Sequence, residues 1–248
     1  MLNVNQLSIA YDKEEVVHEA AFSLKENGAF VIVGESGSGK STLLRGIIGL
    51  LKSPGAVTKG RIIWEGKEVK SLLGKDTAMI FQNPLSSLDP VMKIGSQIHE
   101  MLTVKSKITR DAAYALADQC FQELLLTDTE RIWNSYPFEL SGGMCQRVAI
   151  AMAYMTNPKL LLADEPTSAL DVIAQKQSIE TLKRVRQEKN IAILLVTHHL
   201  GVAAAIADDI AVMKEGRFVE TGSVKEVLTN PQHEYTKQLL AAIPKLET

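Results

Sequence analysis

Across 248 residues the chain carries only two cysteines, Cys120 and Cys145, and they are not spaced for a metal site or a redox pair. Two free thiols fit a reducing compartment, and both read as packing residues. No apolar run approaches the roughly eighteen residues that a membrane-spanning helix needs. The longest runs, such as Ile191 to Val196, are strand-sized. The N-terminus, Met1-Leu2-Asn3-Val4-Asn5, lacks a basic stretch followed by an apolar one, so no signal peptide is expected. Charge is nearly balanced at a net -2, so no basic field points to nucleic acid. Internal repeats, low-complexity segments and heptad runs are also missing. What remains is 46% hydrophobic and 23% charged, an ordinary globular composition long enough for one large α/β domain.

The first third reads as short strands, at Leu7 to Tyr11, Ala21 to Leu24, Phe30 to Val33 and Arg61 to Trp64. Phe30 to Val33 runs into a glycine-rich turn, and Ser41 to Leu51 follows with the apolar spacing of a helix. Strand, glycine loop and helix open a parallel α/β unit. From about Pro84 to Asn157 helical patterns take over, as in Asp111 to Leu126 and Met144 to Met155. Strands return at Leu160 to Ala163 and Ile191 to Thr197, around a helix from Ala174 to Lys189. Ile210 to Met213 and Phe218 to Glu220 flank a Lys-Glu-Gly-Arg turn and read as a hairpin. Val224 to Ile243 reads as helical with a break at Pro231. The expected parts are a nucleotide-binding core with a β subdomain (1–82 and 158–223), a helical subdomain (83–157) and a helical tail (224–248).

Gly34-Glu35-Ser36-Gly37-Ser38-Gly39-Lys40-Ser41, followed by Thr42, spells a phosphate loop. Its glycines let successive backbone N–H groups face one concavity, which suits anionic phosphate. The following helix adds the positive end of its dipole. Lys40 can reach the β- and γ-phosphates, and the Ser41 hydroxyl can bind Mg²⁺. The motif alone leaves kinases, GTPases, motors and transporters open. No Asn-Lys-x-Asp guanine-reading motif exists, and no second-substrate lid of the small-molecule kinase kind is evident.

Leu160-Leu161-Leu162-Ala163-Asp164-Glu165 is an apolar strand that ends in two carboxylates. In a parallel sheet, ligands sit at the carboxyl ends of the strands. Adjacent strand residues point opposite ways, so the two acids can hold different roles. Asp164 suits the Mg²⁺ shell, and Glu165 suits a general base for water attacking the γ-phosphate. His198 ends the next apolar strand and is placed by the same rule near the γ-phosphate.

These residues resemble the ATP-binding cassette (ABC) ATPases over nearly the whole chain. Leu140-Ser141-Gly142-Gly143-Met144-Cys145-Gln146-Arg147 is similar to the family's signature segment. It offers a hydroxyl on Ser141, amides on Gly142 and Gly143, and a helix N-terminus expected at Met144, which makes a second anion cradle. The resemblance implies a P-loop NTPase (RecA-like) α/β core with an antiparallel β subdomain and an inserted α-helical subdomain. It also implies a head-to-tail dimer, in which the signature of one subunit closes on the γ-phosphate of the other. On the same basis Tyr11 matches the aromatic that stacks on adenine. Gln82 matches the glutamine that touches Mg²⁺ and the attacking water. Ser168-Ala169-Leu170-Asp171 matches the loop that crosses the dimer interface, and His198 matches the switch histidine. One departure is His199, where the family commonly has Asp.

Within the family, Phe81-Gln82-Asn83-Pro84-Leu85-Ser86-Ser87-Leu88-Asp89-Pro90 and the segment from Pro231 to Leu240 resemble the importer branch for oligopeptides, dipeptides and nickel. Tyr136-Pro137-Phe138-Glu139 and Asp171-Val172-Ile173-Ala174-Gln175 lean towards its nickel members, as does the short tail. The resemblance implies ATP and Mg²⁺ as cofactors and two membrane permease subunits as partners. It also implies an indirect link to an extracytoplasmic substrate-binding protein, and a peripheral place on the cytoplasmic face of the membrane without insertion. A non-transport ATPase of the same family, such as one for iron–sulfur cluster assembly, stays open as the alternative.

Overall fold

The computed structural model describes residues 1–168 and 172–242. Two sheets organise it. The first is antiparallel, in the order β2-β1-β4-β5, from β1 (Leu2–Tyr11), β2 (Glu14–Leu24), β4 (Gly55–Trp64) and β5 (Lys67–Val69). The second has six strands in the order β10-β9-β3-β8-β7-β6. In it β3 (Ala29–Val33), β6 (Thr77–Ile80), β7 (Leu160–Asp164), β8 (Ala192–Thr197) and β9 (Asp209–Lys214) run parallel. β10 (Arg217–Ser223) returns antiparallel on β9.

β3, β7 and β8 are buried along their whole lengths. That is why they read as unbroken apolar runs rather than alternating ones: a parallel sheet is covered on both faces. The alternation survives in where the side chains go. Phe30, Ile32, Leu160, Leu162, Leu194 and Val196 pack on one side with Leu43, Leu44 and Ile47 of α1 (Lys40–Ile48) and with the antiparallel sheet. Val31, Val33, Leu161, Ala163 and Leu195 pack on the other side in the core that the remaining helices share.

Those helices include α2 (Ile94–Lys105), α3 (Arg110–Glu123), α4 (Thr129–Asn134), α5 (Gly142–Met155), α6 (Val172–Lys189) and α7 (Leu200–Ile206). α2 to α5 lie between β6 and β7 in sequence, as a helical layer inserted into the sheet. Thr109 and Asp128 cap α3 and α4 by accepting from the N–H groups of Ala112 and Arg131. Phe121 is fully buried in this layer, and Trp133 meets Tyr114 edge-on at 5.2 Å. Cys120 and Cys145 are buried free thiols, and burial pushes the Cys120 thiol up to about 12.

The chain closes with the β9–β10 hairpin, α8 (Val224–Thr229) and α9 (Glu234–Ala241). Glu215 and Gly216 both take positive φ, 47° and 77°, which suits a tight hairpin turn to the right-handed strand twist. A capping box between Ser223 and Glu226 starts α8, and α9 begins three residues after Pro231. Ile243, the expected end of the tail helix, lies outside the described residues.

Several elements depart from the sequence reading. α1 stops at Ile48 rather than Leu51, because Gly49 turns left-handed at φ 91° and its N–H closes on the Arg45 carbonyl. β5, β6 and α7 have no counterpart in the sequence pattern, and α2 falls within the helical stretch expected from about Pro84 to Asn157 without being delimited there. β6 is a four-residue edge strand, and its side chains are mostly half-buried, so no period could show it.

Candidate functional site

The phosphate loop joins the end of β3 to the start of α1. Gly39, at φ 100°, stands directly before α1, where a side chain would meet the Val16 carbonyl. A Cβ on Gly34 would lie 2.1 Å from the Met213 carbonyl oxygen of β9, so the loop can pack this closely only with glycine there. Lys40 is 3% exposed. Its Nζ donates to the carbonyls of Gly34 (2.8 Å) and Glu35 (2.7 Å), with Ser38 Oγ at 3.4 Å. Burial lowers the lysine pKa, and the carboxylates of Glu165, Asp164 and Glu35 oppose that shift.

β7 and β8 bring the acidic groups to the same edge. Ser41 Oγ donates to Asp164 Oδ1 at 2.5 Å. Asp164 Oδ2 has no hydrogen-bond partner although the residue is 1% exposed, and its nearest charge is Arg45 Nη2 at 3.5 Å. Burial raises the Asp164 pKa, countered by the Ser41 hydrogen bond and Arg45. Such an orphaned, buried carboxylate oxygen beside a hydroxyl is a hard-oxygen donor set, and it fits a divalent ion such as Mg²⁺.

Glu165 sits one residue past β7 with φ 46°, a strained value for a non-glycine residue. Its N–H donates to the Val196 carbonyl at 2.9 Å, which locks the turn. Its carboxylate Oε2 lies 2.9 Å from His198 Nδ1 and at a long 3.5 Å from Gln82 Nε2. Sheet pairing explains the meeting. β6 lies beside β7 and β7 beside β8, so residues just past their ends converge.

Ser36, Gly37, Gly39, Lys40, Ser41, Thr42, Gln82 and Glu165 line one cavity of about 170 Å³, together with Val16. A larger groove of about 320 Å³ between α6 and α7, lined by Ile179 and Val202 among others, holds none of these groups. His199 borders that groove, and its ring stands 4.5 Å from the His198 ring.

Some expected residues are not among those lining the cavity. Tyr11 packs its ring against Gly55, where a Cβ would come within 2.6 Å of it. Ser141, Gly142 and Gly143 sit at the start of α5; Ser141 and Gly142 are exposed, and Gly143 is half-buried. The helix there begins at Gly142, not Met144. Ser141 keeps extended backbone, and its hydroxyl caps the helix by accepting from the Met144 N–H at 3.3 Å. Asp171 lies outside the described residues, while Ser168 donates to the Glu165 carbonyl at 3.1 Å.

Sequence reasoning missed Val16, Arg45 and Tyr235, whose hydroxyl accepts from the Glu35 N–H at 3.2 Å. A signal for Arg45 was present, since residues 41 and 45 share one helix face. Val16 and Tyr235 reach the site only through tertiary packing.

A parallel sheet with a phosphate loop, a buried acid at the end of the neighbouring strands and an inserted helical layer defines a P-loop nucleotide hydrolase. The particular family follows from comparison: residues 17–168 match the ABC transporter family, and the chain belongs to it. The chain is thus an ATP-binding subunit with ATPase activity. It is 42% identical to the oligopeptide transport ATP-binding protein OppD of Bacillus subtilis, over all of this chain and 73% of that protein. It is 39% identical to the glutathione import ATP-binding protein GsiA of Escherichia coli, over 99% of this chain but 42% of that one. Among solved structures, a dimeric ATP-binding cassette bound to ADP and phosphate in a post-hydrolysis state aligns with a TM-score of 0.78 at 28% identity. That match covers 90% of this chain and 99% of the other. CbiO1 from Clostridium perfringens, part of an ABC transporter complex, aligns with a TM-score of 0.79 at 26% identity, over 98% of this chain and 95% of that one.

Proposed function

We propose that this subunit hydrolyses ATP as one half of a head-to-tail dimer that drives import of small peptides through two membrane permease subunits. The observation that carries the dimer is the separation of two anion cradles. Ser141 and Gly142 face solvent at the start of α5, and the phosphate loop lines a cavity that none of the signature residues enters. One triphosphate in one subunit has no use for both. A second subunit supplies the missing cradle.

Within each site, Lys40 leaves its loop carbonyls and turns to the β- and γ-phosphates. Ser41 and Asp164, with Gln82, would hold Mg²⁺, which would supply neutralising charge beside the phosphates. Glu165 accepts a proton from the attacking water, and His198 orients that carboxylate from 2.9 Å. Asp171 and Tyr11 take the interface and adenine roles that the family resemblance implies.

Peptide cargo is supported by the oligopeptide and glutathione names of the relatives above. The nickel likeness draws no support from them. Exposed apolar side chains at Leu85, Val91 and Phe138, beside the inserted helices, support docking on a permease, and the family resemblance supports a place on the cytoplasmic face of the membrane.

The test is Glu165→Gln. Hydrolysis is expected to fall at least about 100-fold while ATP still binds, so that an ATP-bound dimer accumulates on size exclusion. Normal turnover would remove Glu165 from its role. A chain that co-purifies with soluble assembly scaffolds instead of permeases would point to the iron–sulfur alternative.

A further inference from the structure

Helix α9 reaches the phosphate loop through a hydrogen bond. Tyr235, in the first turn of α9, is 5% exposed, and its hydroxyl accepts the Glu35 N–H at 3.2 Å across 200 residues of sequence. That N–H belongs to the Gly34–Glu35 peptide. The carbonyl of the same peptide, on Gly34, accepts from Lys40 Nζ at 2.8 Å. In a trans peptide the N–H and C=O point in opposite directions. The plane is therefore clamped from both sides, by the helix outside and by the lysine inside.

The tyrosine is itself held. Lys214 of β9 places its ammonium 5.1 Å from the centre of the ring. Glu220 of β10 accepts from the N–H groups of Gln232 (2.8 Å) and His233 (3.1 Å), and His233 Nδ1 accepts from the Tyr235 N–H at 3.1 Å. The hairpin that braces the tyrosine also meets the loop directly, through the Gly216 N–H bonded to the Ser38 carbonyl at 3.0 Å.

We propose that Tyr235 is a positioning residue for the phosphate loop: its hydroxyl fixes the Gly34–Glu35 peptide so that the loop is preset for nucleotide and Lys40 is held at its edge. Without that acceptor the peptide can rotate, and each binding event must first restore its orientation. The C-terminal segment thereby becomes part of the nucleotide site without touching nucleotide. This rests on the ATP-binding reading of the site.

The experiment compares the full chain with Tyr235→Phe, which deletes one oxygen and keeps the ring. Tyr154→Phe serves as control, because it also deletes a tyrosine hydroxyl with one hydrogen bond, to Glu123 at 2.7 Å in the helical layer. For Tyr235→Phe, the Kd for Mg-ADP and the KM for ATP should each rise about threefold to tenfold, the range set by one net hydrogen bond. Turnover at saturating ATP should stay within about twofold, as expected for a lost binding term. Hydrogen exchange at the Glu35 amide of the nucleotide-free chain should quicken, while Tyr154→Phe leaves both constants and that amide unchanged. Tyr235→Phe binding ADP like wild type would overturn the proposal. So would an equal loss in Tyr154→Phe, which would reduce the effect to general destabilisation. A wild-type chain that binds no ADP would instead overturn the nucleotide reading beneath it.

Discussion

Lys40 is placed to serve two states in the proposed cycle. Buried and bonded to Gly34 and Glu35, it keeps its charge satisfied by its own loop. Three carboxylates nearby oppose the loss of that charge. A phosphate oxygen is a stronger acceptor than a neutral carbonyl, so nucleotide can draw the ammonium away. Lys40→Ala should weaken ATP binding about 10- to 100-fold, the scale of one charged hydrogen bond, as read by titration with a fluorescent nucleotide. Unchanged affinity would contradict the phosphate-loop assignment. Asp164 follows the same logic from the acidic side. Its Oδ2 accepts no hydrogen bond and has Arg45 at 3.5 Å, and a buried carboxylate oxygen left without a hydrogen bond fits a ligand that arrives later.

Among the elements, the inserted helices depend on close approach. Gly95 in the first turn of α2 lies under the ring of Trp133 from α4, and a Cβ would come within 2.3 Å of that ring. The clash is with a bulky indole that also meets Tyr114, so it cannot swing away freely. Gly95→Ala should cost about 1–3 kcal/mol, measured by urea unfolding, with nucleotide affinity retained. A neutral effect would mean that α2 and α4 can slide apart at little cost. The sheet elements differ in how far they could be read from the sequence. β3, β7 and β8 were legible because full burial demands unbroken apolar runs. β6 was not, since an edge strand of four mostly half-buried residues carries no such demand. α5 was legible, but its start moved from Met144 to Gly142 because Ser141 acts as the cap.

For the whole molecule, the proposed dimer supplies what a single chain leaves incomplete. The signature residues stand apart from the cavity, and ATP is expected to join two subunits by bridging one chain's loop to the other's Ser141. Adding Ser141→Arg to the Glu165→Gln chain should leave nucleotide affinity within about twofold, since one exposed substitution away from the cavity is mild in its own chain. The ATP-induced dimer should vanish, because a bulky cation fills the cradle. A double variant that still dimerises with ATP would remove the signature from the interface.

The phosphate loop, the acid pair and the histidine could be named from sequence alone, because local backbone chemistry demands glycines, a lysine and strand-end acids in a set order. The family resemblance needed a further motif, the signature segment Leu140 to Arg147, because the phosphate loop alone leaves other nucleotide hydrolases open. Which residues actually meet was decided by tertiary structure. The order β3-β8-β7-β6 brings Gln82, Glu165 and His198 within hydrogen-bond reach, and no spacing along the chain encodes that order. The contact of Tyr235 with Glu35 is the extreme case. It joins positions 200 residues apart, and it exists only because the β9–β10 hairpin packs beside β3 and carries α9 to the loop.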